Sequence, residues 1–126
     1  MGSPNLMQTG CKKSMSGWGR FPEIESVSET LEERLFSSKS KPVIATGNLR
    51  SSGDACLAPV HFSTLQNNRF VSFDTDNGLL CCEAGTLLSD IIKIFLPHGW
   101  FLKVSPGTKF ITVGGAIASD IHGKNH

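Results

Sequence analysis

The spacing of apolar positions predicts two helices. The stronger pattern covers residues 86–96, where apolar side chains recur along one helical face and Pro97 and Gly99 follow: Leu87, Leu88, Ile91, Ile92, Phe95 and Leu96. A shorter helix is predicted over about 28–38, because Ser26/Glu29 and Thr30/Glu33 each have the spacing of a capping box. Both patterns are those of amphipathic helices.

Short apolar runs between turn residues predict the strands. P-V-I-A-T at 42–46 is the first, and runs at 70–73 and 79–84 flank D-T-D-N-G as a hairpin. W-F-L-K-V at 100–104 predicts a further strand. Residues 1–16 are polar and lack periodicity, so they are interpreted as a flexible leader before a domain at 17–126.

Two glycine-rich polar segments carry the candidate chemistry. The first, G-N-L-R-S-S-G-D at 47–54, follows a predicted strand, and successive backbone N–H groups in such a loop can form a nest for anionic oxygens. The second runs from Pro106 to His126, where Thr112 is placed to cap a helix whose V-G-G-A start would direct N–H groups at a ligand. An ordinary solvated turn remains open for the first segment alone. Together the two segments favour a nucleotide-like cofactor.

Composition narrows the class of protein. Twelve Lys and Arg against eleven Asp and Glu give a net charge of +1 over 126 residues, which argues against nucleic-acid binding. No apolar run approaches the roughly 20 residues that span a bilayer. Of the four cysteines, Cys81 and Cys82 are adjacent in a predicted strand and point to opposite faces, so reduced thiols in a cytoplasmic setting are expected.

Other ligand motifs fail on specific residues. Gly123-Lys124 lacks the P-loop pattern, because Ala118 and Asn125 stand where Gly and Ser or Thr are needed. No G-x-G-x-x-G follows a strand. His122 and His126 are four apart, but Gly123 interrupts the helix that a metal pair would need, so no metal is expected.

With both segments in hand, the chain resembles the FAD-linked oxidase family that includes vanillyl-alcohol oxidase and the aldonolactone oxidases. The likeness rests on S-G-W-G-R at 16–20, A-T-G-N-L-R-S-S-G-D at 45–54 and the segment at 106–126. It implies an α+β FAD-binding domain of the PCMH type, with a first subdomain and the start of a second. Within the family, the likeness is greatest to a branch that oxidises a sugar hydroxyl of a polyprenyl phosphosugar.

The resemblance also implies which residues contact FAD. The expected pyrophosphate-binding segment comprises Ala45, Thr46, Gly47, Asn48, Leu49, Arg50, Ser51, Ser52, Gly53, Asp54 and Ala55. The segment expected along the flavin comprises Gly107, Thr112, Val113, Gly114, Gly115, His122, Gly123, Lys124 and Asn125. His122 and Lys124 would be positioning or charge-stabilising groups near the reacting centre, and no residue is assigned as catalytic.

Departures from the family pattern refine the expectation. Ser52 stands where many relatives have a histidine bonded to the flavin, so FAD is expected to be noncovalent. Asn48-Leu49 replaces the Leu-Gly that relatives often have.

Family enzymes are several hundred residues long, so the chain is expected to be part of a flavoenzyme, without the substrate domain and inactive alone. The intact enzyme would oxidise a sugar hydroxyl, act with a partner reductase as one component of an epimerase, and associate with a membrane. An aldonolactone oxidase and a noncatalytic nucleotide-binding or interaction module are the alternatives.

Overall fold

The computed structural model describes residues 11–36 and 42–123. Within these ranges the strands are β1 (Cys11–Ser16), β2 (Glu23–Glu29), β3 (Ile44–Thr46), β4 (Val60–Ser63), β5 (Phe70–Asp74) and β6 (Leu79–Cys82). The helices are α1 (Leu31–Phe36), α2 (Leu88–Phe95) and α3 (Val113–Ala118), with a turn of 3-10 helix at Leu96–His98. The mixture of helices with two separate sheets confirms the predicted α+β class.

The larger sheet has the strand order β1-β2-β4-β3. β1 pairs with β2 in the antiparallel sense, whereas β2 and β3 both run parallel to β4. The carboxyl ends of three strands therefore meet at one edge. The first glycine-rich loop leaves this edge directly after β3, where the Thr64 amide donates to the Thr46 carbonyl at 2.9 Å.

The prediction of a flexible leader over 1–16 is wrong for Cys11–Ser16. These residues form β1, which pairs along its whole length with β2, and Met15 is only 4% exposed. The sequence pattern missed this strand because its stability comes from a partner strand rather than from local alternation of apolar residues. Residues 1–10 lie outside the described part of the chain.

The predicted helix at 28–38 begins later than expected. Ser26 and Glu29 belong to β2, and α1 is capped by the second box alone. There the Thr30 amide donates to Glu33 Oε2 at 2.7 Å, and the Glu33 amide donates to Thr30 Oγ1 at 3.1 Å. Ser26 does not cap a helix, because it is buried in the sheet.

Ser26 instead contacts His61, which lies on β4 and is only 6% exposed. Ser26 Oγ donates to the Ala58 carbonyl at 2.6 Å and lies 2.7 Å from His61 Nδ1. Since the hydroxyl proton is directed at Ala58, Nδ1 carries the proton that joins the ring to Ser26. Burial, aided by the nearby Lys13 charge, lowers the pKa of His61.

The hairpin of β5 and β6 and the helix α2 confirm the predicted elements around 70–96. Phe73 packs against Phe95 of α2 with ring centroids 4.5 Å apart, and its edge meets Trp100 at 5.4 Å. The predicted strand at 100–104 is wrong, since the Trp100 amide donates to the Phe95 carbonyl at 3.1 Å and this segment pairs with no strand of the described chain. An apolar cavity of about 90 Å³ lies between the hairpin and α2.

All four cysteines lie in the described ranges and are unpaired. Cys56 is buried, whereas Cys11 and Cys81 are exposed. No described helix has the length and apolar character required to cross a membrane.

Candidate functional site

The loop after β3 contains residues with left-handed backbone, a conformation found in anion-binding nests. Leu49 and Gly53 have left-handed φ angles of 52° and 61°. A non-glycine residue in this region is uncommon and often marks a functional site. In the described part of the chain, the amides from Asn48 to Gly53 donate to no other group. These N–H groups are thus available to the oxygens of a phosphate or similar anion.

The G-W-G segment supports this loop from behind. The Trp18 amide donates to the Ser51 carbonyl at 2.9 Å. A Cβ on Gly17 would lie 2.6 Å from the Gly53 carbonyl oxygen, so only glycine allows this approach. The Arg50 guanidinium carbon lies 5.4 Å from the centre of the Trp18 ring, within range of a cation–π interaction. The sequence analysis used S-G-W-G-R at 16–20 only as part of the family resemblance. It did not predict that this segment supports the loop.

The structure brings the two glycine-rich segments together. A Cβ on Gly47 would overlap the hydroxyl of Thr112, so the absence of a side chain at 47 lets the segments touch. Next to it, Asn48 Nδ2 donates to the Phe110 carbonyl at 2.8 Å, across 62 residues of sequence. Residues predicted separately as parts of one site therefore share one surface.

Thr112 caps α3 as predicted, because the Gly115 amide donates to Thr112 Oγ1 at 3.1 Å. The expectation that the V-G-G start of the helix directs its amides at a ligand is wrong. The Val113 and Gly114 amides each donate at 2.8 Å to backbone carbonyls, those of Thr86 and Ala84 respectively. The start of α3 is thus bonded to the protein interior, and the unbonded amides of the candidate site belong to the first loop.

Gly114 has a packing role at this junction. An ideal Cβ there would lie 3.1 Å from both Cβ and the carbonyl oxygen of Ala84. Gly115, in contrast, is exposed. The paired glycines thus have different functions: Gly114 lets α3 approach the 84–86 segment, and Gly115 leaves bare backbone at the surface.

The remaining predicted residues of the first segment differ in accessibility. Thr46 is 3% exposed and its hydroxyl donates to the Phe62 carbonyl at 3.3 Å, so it holds β3 in the sheet. Ser51 is half-buried in the loop. The side chains open to solvent are those of Ala45, Arg50, Ser52, Asp54 and Ala55. Arg50 supplies the positive charge of the loop and Asp54 the negative one.

The second segment is only partly brought to the loop. Gly107 is exposed, and a Cβ there would meet nothing within 4 Å. After α3 the chain turns back, with Asp120 at a φ of 45° and the Ile121 amide donating to the Ala116 carbonyl at 3.1 Å. His122 is exposed and has no recorded bond within the described ranges, while Gly123 is half-buried. Lys124 and Asn125 lie outside the described residues.

No group of His, Cys, Asp and Glu within 11–36 and 42–123 is arranged to hold a metal ion. The site therefore offers backbone donors, hydroxyls and one guanidinium. This donor set fits a phosphate-bearing organic cofactor, because the loop amides would donate hydrogen bonds to its phosphate oxygens.

Comparison with known proteins defines the class. Residues 23–126 match the FAD binding domain family, and the chain belongs to that family. The fold agrees with it, since a histidine-to-alanine variant of cholesterol oxidase from Brevibacterium sterolicum superposes with a TM-score of 0.75. That match covers 95% of this chain and 26% of the oxidase at 15% identity.

Particular relatives come from the curated proteins. Decaprenylphosphoryl-β-D-ribose oxidase of Mycolicibacterium smegmatis is 38% identical over an alignment of 125 residues. The match covers 90% of this chain and 27% of that enzyme. D-lactate dehydrogenase of Anaerostipes hadrus is 31% identical over 64 residues, or 51% of this chain and 14% of the enzyme. The chain thus spans about a quarter of the length of the first relative.

Proposed function

We propose that the loop at 47–55 binds the pyrophosphate of FAD. The observation that carries the proposal is the run of unbonded amides from Asn48 to Gly53 beside two left-handed residues. Two phosphates need several donors that converge from one side, and a nest supplies them without charged side chains. Arg50 adds one positive charge, held near the loop by its contact with Trp18.

We propose that the flavin end of FAD lies along the second segment. Gly115 is exposed and carries no side chain, which suits close contact with a flat ring. Contact there would be through packing, because the amides at the start of α3 are already bonded inside the protein. His122, exposed just beyond α3, would be available as a donor, with Gly123, Lys124 and Asn125 following it in the sequence.

FAD would be held noncovalently. Residues 45–55 contain no histidine, and the exposed Ser52 hydroxyl cannot form a histidyl link to a flavin. Precipitation of the loaded protein with acid should therefore release all of the flavin into the supernatant. Flavin that stays in the pellet would contradict this part of the proposal.

For the reaction, we propose oxidation of a sugar hydroxyl with transfer of hydride to FAD, and a polyprenyl phosphosugar as the substrate class. When bound, FAD would supply the hydride acceptor, while the protein orients the substrate and excludes water. Support comes from the 38% identity to decaprenylphosphoryl-β-D-ribose oxidase across most of this chain. A partner reductase that converts the resulting ketone would complete an epimerisation.

Two variants that place alanine at a left-handed backbone position test the cofactor site. Gly53 and Gly99 both have left-handed φ, of 61° and 84°, and a Cβ at either position would meet nothing within 4 Å. Gly53→Ala and Gly99→Ala should therefore lose similar stability. Only Gly53→Ala should weaken FAD binding, because only Gly53 belongs to the nest.

FAD binding would be measured by calorimetry on the parent protein and on both variants. Equal FAD affinity of the two variants would contradict the assignment of the loop. Bleaching of the bound flavin by a polyprenyl phosphoribose, compared with D-lactate and a sugar lactone, would then identify the donor class. Bleaching by D-lactate alone would refute the sugar assignment while leaving the FAD site intact.

A further inference from the structure

One side chain forms a hydrogen bond between the two glycine-rich segments. In the part of the chain that the structure describes, the recorded side-chain hydrogen bond between them runs from Asn48 Nδ2 to the Phe110 carbonyl at 2.8 Å. Asn48 as a residue is half-buried, whereas the bond itself lies at an exposed position. The bond joins the start of the nest to the segment just before the cap of α3.

The receiving carbonyl is held in place. The Phe110 amide donates to Thr108 Oγ1 at 3.2 Å, which closes a short turn ahead of α3. Thr112, two residues further on, is 2% exposed and lies over Gly47. One end of the first loop is thus joined to the second segment at two adjacent positions, by packing at Gly47 and by a hydrogen bond at Asn48.

Only a donor of suitable length can make the second of these contacts. Leucine has a size similar to that of asparagine but no side-chain N–H group. Glycine at Gly47 permits approach but does not fix the separation of the two segments. The hydrogen bond from Asn48 is therefore the contact that can fix this separation.

We propose that Asn48 is a positioning residue that sets the spacing between the phosphate nest and the 106–112 segment. This inference rests on the proposed binding of FAD across both segments. A ligand that contacts both segments would bind to a surface whose two parts already have the right spacing. Binding would then not have to include the entropic cost of ordering the segments. A ligand that contacts the nest alone would gain nothing from the bond.

The test compares Asn48→Leu, which keeps the size and removes the donor, with Asn68→Leu as the control. Asn68 is exposed and has no recorded bond in the described ranges. Hydrogen exchange of the peptide that contains Phe110 is measured first, without any ligand. We expect several-fold faster exchange of this peptide in Asn48→Leu, with the exchange of α2 unchanged and the control like the parent.

The second measurement is the affinity for FAD and for ADP by calorimetry. ADP carries a pyrophosphate but no flavin. Loss of one hydrogen bond predicts about three- to tenfold weaker FAD binding in Asn48→Leu and unchanged ADP binding. Asn48→Ala, which also lacks the donor and is smaller, should give the same split and guards against a packing fault of leucine.

Each outcome decides a different statement. Unchanged exchange of the Phe110 peptide in both Asn48 variants would overturn the positioning role, whatever the ligands do. Equal loss of FAD and ADP affinity would also overturn it, since Asn48 would then act on the nest alone. Failure of the parent protein to bind either ligand would refute the proposed FAD site, while the exchange result would still decide whether Asn48 couples the segments.

Discussion

Replacement of Gly47 by alanine tests whether close contact of the two segments stabilises the fold. The new Cβ would overlap Thr112 Oγ1 and lie 3.0 Å from Thr112 Cγ2. Gly47 does not have a left-handed φ, so alanine is not strained by its own backbone. The whole cost should therefore come from the collision with Thr112.

The magnitude follows from what Thr112 does. Its side chain is 2% exposed and cannot turn outward to solvent, and its hydroxyl accepts the Gly115 amide at 3.1 Å. Movement away from the new methyl breaks this cap, which costs about 1 kcal/mol. Overpacking at a buried contact adds about 1–3 kcal/mol. Gly47→Ala should thus lower the free energy of unfolding by about 2–4 kcal/mol.

Urea unfolding followed by circular dichroism measures this loss. With an m-value of about 1.5 kcal/mol per molar urea, the midpoint should fall by about 1–3 M. Gly107→Ala is the matched control, because a Cβ at Gly107 would meet nothing within 4 Å. The free energy of unfolding of this variant should stay within about 0.5 kcal/mol of the parent.

A double-mutant cycle isolates the contact. Thr112→Ala removes both the hydroxyl and the Cγ2 that the Gly47→Ala methyl would meet, so the double variant should be about 1–2 kcal/mol more stable than the sum of the single changes predicts. Additive losses would show that the methyl at 47 collides with something other than Thr112. A midpoint for Gly47→Ala equal to that of Gly107→Ala would refute the reasoning altogether.

Two further predictions concern other parts of the fold. Burial, and then the charge of Lys13, place the folded-state pKa of His61 below its unfolded value of 6.5. The neutral ring therefore stabilises the fold above about pH 6.5, and this stability is lost as the pH falls through the folded pKa. Urea midpoints at pH 7.5 and 5 should differ more for the parent than for His61→Gln, and equal differences would contradict this. Gly78 and Gly99 both have left-handed φ, but a Cβ on Gly78 would also lie 2.6 Å from Trp100. Gly78→Ala should therefore cost about 1–3 kcal/mol more than Gly99→Ala and shift the tryptophan emission, whereas equal costs would show that Trp100 moves aside freely.

Much of the candidate site was predictable because its signals are local. The cap at Thr112, the capping box of Thr30 and Glu33, and the hairpin turn each depend on residues within a few positions of one another. The residue types at 47–54 also predict an irregular, glycine-rich loop. Prediction failed where partners are distant in sequence: Gly17 and Trp18 behind the loop, and the carbonyls that receive the first amides of α3.

The sequence by itself determined the helix around 88–95 and the two glycine-rich segments. It also determined the family that these segments identify. Tertiary structure decided that Cys11–Ser16 is a strand, that 100–104 is not, and that Ser26 serves the sheet rather than a helix. The physical reason is that a helix or turn bonds to its own neighbours, whereas a strand or a buried hydroxyl is stable only beside a partner from elsewhere in the chain. The same reason explains why nothing in the sequence indicated that Asn48 bonds to Phe110, a contact that only the fold creates.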